Sequence, residues 1–332
     1  MLTNILKRIT LTFIDILISW YIWLVNVSFG NLCYTADFSK CFTLSVTTFL
    51  IIYVPFEIYW SFRDLWFDRW KKLFLKDLNV SKIKIDISDG FLSANLVRNR
   101  HKSKDELKDA IIIVCHGFSD TKETLQYFYF PLAYQGYNVL AYDARGTGKS
   151  KKTGKRSDFL KRIEDFKEII EWVKNQKEFC NKKIYCIGFS IGAITVLSGG
   201  FRNKDINKII AISSMSYYKQ NIPKYNPVVI LSYLIKRVKF FPNIEENNLL
   251  SPYLQIKKIK NELISPEWAK LSKRVMLIHS KNDRVIKFKN LKENRLILES
   301  SDKNTLILKK GGHSQKKNEC ILVGATLNFL NS

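Results

Sequence analysis

Negative charge and histidine are what this sequence is short of: its 332 residues carry 30 acidic against 54 basic side chains, a formal charge of +24, and four histidines. A basic excess draws a chain toward anionic lipid, nucleic acid or acidic substrates. No run of like charge forms a nucleic-acid-binding tail, so nucleic acid is not an expected partner. The lysines are spread through the chain with asparagine and isoleucine, as on a solvated face with no partner. No Cys/His spacing matches a zinc site. Internal repeats and low-complexity segments are missing as well, and no small-x-small cleavage site precedes Cys33, which weighs against a secretory signal peptide. What the chain has in plenty is apolar residues, 46% of the total, enough for one large domain with an appendage.

The six cysteines fall into three pairs. Cys115 and Cys186 lie in apolar, strand-like runs and read as inert core residues, whereas Cys180 and Cys320 stand near helical patterns with nothing beside them to activate a thiol. Cys33 and Cys41 share a short polar stretch between two hydrophobic segments. An oxidising compartment would join them as a disulfide, and a reducing one would leave two thiols.

The first of those segments, residues 9–27, is long enough to cross a bilayer core as a helix, with Asp15 a tolerable cost within it. The second, from 42 to about 56, is shorter and is expected to be limited by Pro55 and Glu57; it fits a span, a re-entrant segment or an interfacial helix. Beyond it Tyr59, Phe62, Trp66, Trp70 and Leu73 recur at helical spacing among Arg63, Arg69, Lys71, Lys72 and Lys76, the pattern of an interfacial belt helix. Lys7 and Arg8 precede the first segment, the basic cluster follows the second, and the loop between holds only Lys40. The positive-inside rule then places the N-terminus and everything after the second segment in the cytosol. Residues 1–80 are therefore expected to form a membrane-anchoring unit of one or two spans plus an interfacial helix, and 81–332 the main domain.

From 82 onward strands alternate with helices, the signature of an α/β sheet. An antiparallel pair, 82–87 and 91–98, turns at Asp89-Gly90. Strands follow at 111–115, 138–142, 183–188, 208–213, 274–280 and 305–308, with helices at 122–135, 157–178, 190–201, 287–299 and 315–330. A long stretch at about 216–270, containing Pro223, Pro227, Pro242 and Pro252, breaks this rhythm and reads as a helical insertion over the site.

Gly188-Phe189-Ser190-Ile191-Gly192 is a G-x-S-x-G sequence set directly between a strand and a helix, the context of a nucleophile elbow. A serine hydroxyl needs a base, and the base needs an acid to orient it. His313, in Gly311-Gly312-His313-Ser314 after the last strand, is the candidate base. His116 and His279 follow strands directly and read as loop braces; His101 lies in a polar stretch. Asp283 follows a strand that lies between serine and histidine, whereas Asp205 and Asp302 precede strands and read as turn residues. The order Ser190, Asp283, His313 is the one a G-x-S-x-G elbow uses. An oxyanion needs two N–H donors; Ile191 follows the nucleophile, and Phe118 stands in His116-Gly117-Phe118 after the first parallel strand. The run 142–150 lacks Walker spacing and reads as a structural turn.

Together these residues resemble the α/β-hydrolase superfamily, and within it the serine aminopeptidase-like and monoacylglycerol lipase-like branch. There a strand leads into His-Gly-x, and Asp-x-Arg-Gly-x-Gly-x-Ser, here Asp143 to Ser150, precedes the elbow. The resemblance covers about 82 to the end. It implies a mostly parallel eight-stranded sheet flanked by helices with a helical cap, catalytic roles for Ser190, Asp283 and His313, oxyanion roles for Phe118 and Ile191, and no cofactor or metal. A membrane anchor and an apolar insertion suit an amphiphilic acyl ester or thioester such as a monoacylglycerol, a lysophospholipid or an acylated protein. A serine peptidase is the alternative; it would need an acid for the substrate's amino group, for which Glu245, Glu246 and Glu262 are available. A non-catalytic membrane scaffold on the same fold is a third reading, disfavoured because all three triad members are present.

Overall fold

The computed structural model describes residues 2–28, 38–63, 76–103, 106–222, 230–231, 234, 238–239 and 241–332. The chain divides into two compact units, Met1–Arg69 and Trp70–Ser332.

The first unit contains helices α1 (Leu2–Ser28) and α2 (Phe38–Arg63), which pack on each other. Phe13, Trp20 and Tyr21 of α1 and Phe42, Ile51 and Ile58 of α2 are exposed, so the pair shows an apolar outer surface. Among the described residues one helical stretch is long and apolar enough to cross a membrane, Phe42–Trp60; α1 supplies a shorter apolar stretch, Ile9–Val25. This reverses the ranking expected from the sequence. Pro55 does not end α2, because the bond its missing N–H removes, worth about 3 kcal/mol with the ring's clash, is outweighed by the rest of a 26-residue helix. The expected belt helix over 64–75 and the Cys33/Cys41 question lie outside the described residues.

The second unit is built on one eight-stranded sheet of order β1-β2-β4-β3-β5-β6-β7-β8. Its strands are β1 (Leu78–Ile87), β2 (Gly90–Asn99), β3 (Ala110–Cys115), β4 (Asn138–Tyr142), β5 (Lys183–Phe189), β6 (Ile206–Ile212), β7 (Val275–Ser280) and β8 (Thr305–Leu308). β1 and β2 form an antiparallel hairpin that pairs antiparallel with β4; every other pairing is parallel. The central strand β3 shows why the sheet is covered on both faces. All six of its residues are buried, and they alternate between two cores: Ile111, Ile113 and Cys115 enter one, Ala110, Ile112 and Val114 the other.

Helices α3 (Gln126–Tyr134) and α10 (Glu319–Asn331) cover the second face with Phe128, Tyr129, Leu132, Leu322 and Phe329. Helices α4 (Phe159–Asn175) and α5 (Ile191–Gly200) cover the first with Phe166, Ile169, Ile170, Val196 and Leu197. Asp158 caps α4 by accepting the Lys161 N–H at 3.2 Å. Between β6 and β7 lie a single helical turn (Tyr218–Asn221), α6 (Ile244–Leu250), α7 (Pro252–Glu262) and α8 (Ser265–Lys273), and α9 (Lys289–Leu298) follows β7. Two expected helix starts move by a full turn. The helix expected from 122 begins at Gln126, because Lys122 is drawn into the interior, and the final helix, expected from 315, begins at Glu319, because Gln315 and Lys317 have φ of 55° and 66°.

Candidate active site

The groups singled out from the sequence collect at the carboxyl ends of β3, β5, β7 and β8, where open parallel sheets place their ligands. Ser190 follows β5 directly and begins α5 with φ 53° and ψ −112°, a conformation costly for any residue with a side chain. Its N–H is fixed to the Ile212 carbonyl at 2.9 Å, so β6 holds the turn in place. The elbow closes only around small neighbours. A Cβ on Gly188 would lie 2.2 Å from the Gly192 carbonyl oxygen, and one on Gly192 would lie 2.1 Å from the Cys115 carbonyl oxygen. The two glycines of the motif are thus demanded by backbone packing against α5 and β3.

Three side chains complete a hydrogen-bonded line. His313 Nε2 lies 3.0 Å from Ser190 Oγ, and His313 Nδ1 lies 2.8 Å from Asp283 Oδ2. Asp283 is fully buried at its side chain, whereas the His313 ring is 26% exposed. The other carboxylate oxygen, Oδ1, accepts the N–H groups of Val285 and Ile286, both at 2.9 Å. Burial pushes the Asp283 carboxyl up, but the hydrogen bond from His313, that ring's charge and the Ile286 N–H outweigh it and hold the group below the ordinary carboxylate range. Asp283 therefore stays an acceptor for His313 Nδ1–H, which leaves Nε2 facing the serine.

The sequence reading takes His116 and His279 as braces, and each has such a place. His116 Nδ1 donates to the Gly117 carbonyl at 2.6 Å, since a carbonyl can only accept, and Nε2 accepts the Ala144 N–H at 2.9 Å. Burial, then the charge of Arg162, lowers this ring's pKa to about 3, so it is neutral. Because the Gly117–Phe118 peptide is trans, a carbonyl held toward His116 turns the Phe118 N–H to the opposite side. Ile191 occupies the first position of α5, where an N–H has no intrahelical acceptor. His279 donates Nε2–H to the Ile286 carbonyl at 2.8 Å, and the same nitrogen lies 3.5 Å from Asp283 Oδ2. It thereby fixes the turn that presents the carboxylate.

The run 142–150 is a brace rather than a ligand loop. Asp143 accepts the Lys122 N–H at 2.9 Å and the Lys149 N–H at 2.8 Å, and it pairs with the Lys122 ammonium in an interior where both side chains are 1% exposed. Arg145 pairs with Asp165 on α4. Lys122 was not visible as a buried residue in the sequence; its partner lies 21 positions away.

A family model described as serine aminopeptidase, S33, matches residues 106–264, the stretch from the approach to β3 into the insertion. With the sheet order and the strained serine between β5 and α5, that match fixes the fold. The chain has the α/β-hydrolase fold and is similar to that family over the matched residues. A protein of Escherichia coli, described as an uncharacterized 31.7 kDa protein in the traX-finO intergenic region, is 26% identical over 126 residues; the match spans 38% of this hydrolase and 44% of that relative. Among solved structures, an esterase from Pyrococcus furiosus superposes with a TM-score of 0.54 at 22% identity, over 79% of this chain and 93% of that one. An α/β serine hydrolase without a lid from Xanthomonas campestris gives 0.51 at 14% identity, over 76% and 94%. An acylaminoacyl peptidase gives 0.55 at 16% identity, over 79% of this hydrolase and 43% of that chain. At these identities the likeness is one of fold. The family match over 106–264, with these neighbours, supports a serine hydrolase by type.

Proposed function

We propose that this serine hydrolase cleaves acyl ester or thioester bonds of amphiphilic substrates, such as a monoacylglycerol, a lysophospholipid or an acylated protein, while held at a membrane by its first 80 residues. The observation that carries the reading is the line from Asp283 through His313 to Ser190, with contacts of 2.8 and 3.0 Å. In this mechanism His313 Nε2 takes the Ser190 proton as Oγ attacks the acyl carbonyl, and Asp283 stabilises the imidazolium. The oxyanion is met by the N–H groups of Phe118 and Ile191. His313 then protonates the leaving alcohol or thiol, and water attacks the acyl-enzyme with His313 again as base. No cofactor or metal enters.

An apolar substrate is favoured by what surrounds the oxyanion residues. Ile191 belongs to a cluster with Phe159, Ile194, Met215 and Tyr218, and Phe118 packs edge-on against Phe159 at 5.5 Å between ring centres. The alternative, a serine peptidase, draws support from the family model and from the acylaminoacyl peptidase among the structural neighbours. Two of its candidate acids are otherwise engaged: Glu246 pairs with Lys239 and closes the capping box of α6, and Glu262 pairs with Arg202. A cytosolic catalytic domain is the placement that Lys7, Arg8 and the basic residues after α2 favour.

The test is a hydrolysis series on the full chain in lipid nanodiscs, using p-nitrophenyl esters of increasing chain length beside aminoacyl p-nitroanilides. Ester cleavage that rises with chain length and is lost in Ser190→Ala is the expected result. Faster cleavage of the anilides would move the assignment to the peptidase.

A further inference from the structure

Resting on the Ser190–His313–Asp283 reading, the geometry points to Gln315 and Ser213 as positioning residues that set the reach of His313, a latch that neither the family motif nor the triad includes. Gln315 lies two residues beyond His313 and is 1% exposed, buried under the loop that carries the base. Its Nε2–H donates to Ser213 Oγ at 2.7 Å, and that hydroxyl donates onward to the His313 carbonyl at 3.4 Å. The chain of donors runs one way, from amide to hydroxyl to the backbone of the base itself.

What makes this more than a loop contact is where Ser213 sits. It directly follows Ile212, the last residue of β6, whose carbonyl fixes the Ser190 N–H, and its own N–H is fixed to the Ile278 carbonyl of β7 at 2.8 Å. Residues 212 and 213 therefore hold the nucleophile's backbone on one side and the base's backbone on the other. Both partners of the latch also hold a backbone that side chains seldom adopt: φ is 52° at Ser213 and 55° at Gln315. Such strain persists only where surrounding contacts hold it. On the other flank of the loop the Gly312 N–H donates to Asn282 Oδ1 at 2.8 Å, next to Asp283, so the residue before His313 and the one two positions after it are each tied to a different strand-end loop. A base must sit within about 3 Å of the hydroxyl it deprotonates, and an error of about 1 Å in such a contact costs up to about a hundredfold in rate.

The test separates positioning from stability. Gln315→Met keeps the length of the side chain and removes its donor. Ser213→Gly removes the hydroxyl, and glycine takes a φ of 52° without strain, so a failure to fold is not the expected outcome. In the full chain each is expected to lower kcat on a p-nitrophenyl ester by about tenfold to a hundredfold, with KM changed less than about twofold. Placed on a His313→Ala background, neither is expected to lower the residual rate further, because the latch acts only through that ring. Equal fractional losses in both backgrounds would assign the pair a general structural role and overturn the inference, and so would wild-type kcat in both variants. Full activity in His313→Ala alone would remove the triad reading, and the latch with it; an inactive His313→Ala beside wild-type latch variants would remove only the latch.

Discussion

At the scale of single residues the site depends on protonation states that its surroundings impose. Asp283 accepts three hydrogen bonds and has no means of replacing the His313 contact, so Asp283→Asn should turn the ring to the wrong tautomer. A loss of about four orders of magnitude in kcat is expected, by analogy with other triads, with KM little changed; steady-state kinetics at fixed pH checks it, and a loss under about tenfold would contradict it. His116 gives a prediction of opposite kind. Its folded pKa is about 3 against about 6.5 in an unfolded chain. The unfolded state therefore binds the extra proton first, and the stability His116 contributes is present above about pH 6.5 and lost progressively as pH falls toward about 3. Urea midpoints measured across that range should fall with pH, and His116→Gln, which can still donate and accept, should flatten the slope.

The order of the proposed triad could be read from the sequence because each of the three residues stands within a few positions of the end of an apolar strand. Lys122, Ser213 and Gln315 were not, for a physical reason: their roles come from partners 21 and 102 positions away. A lysine and a glutamine that each open a helical pattern have the composition of solvated residues. Only the fold shows that both are buried.

At the scale of elements, the β5–α5 elbow is a tight junction between backbones. Gly192→Ala would push a methyl group against the Cys115 carbonyl, backbone that cannot move without disturbing β3. A destabilisation of at least about 2 kcal/mol is expected, within the range for overpacking, and urea unfolding would show it. A stability equal to wild type would mean that α5 and β3 are not this close. Strand and helix types follow from periodicity, and the doubly covered sheet was anticipated; the ends of helices were less so. Gln315 and Lys317 belong to a helical pattern by composition, yet they are held in left-handed conformations by the loop that presents His313. Pro55 erred the other way. Its local cost is real, but it acts on one bond in a long ladder.

At the scale of the whole molecule, the exposed apolar surface of α1 and α2 is what the proposed membrane attachment rests on. Phe42–Trp60 is the stretch with the length and hydropathy to span. Two lysines in its middle, Leu50→Lys with Val54→Lys, would each cost about 2.5 to 3.5 kcal/mol at the centre of a span. Carbonate extraction of membranes should leave the wild-type chain in the pellet and release the double variant. Retention of the double variant would mean that α2 does not cross.

The central claim is that Ser190 is an activated nucleophile. A fluorophosphonate probe answers this directly: intact mass and peptide mapping of the labelled full chain should show one adduct, on the peptide that contains Ser190. Labelling should vanish in Ser190→Ala and fall sharply in His313→Ala. A folded wild-type chain that takes no label, or one labelled equally well without Ser190, would contradict the account.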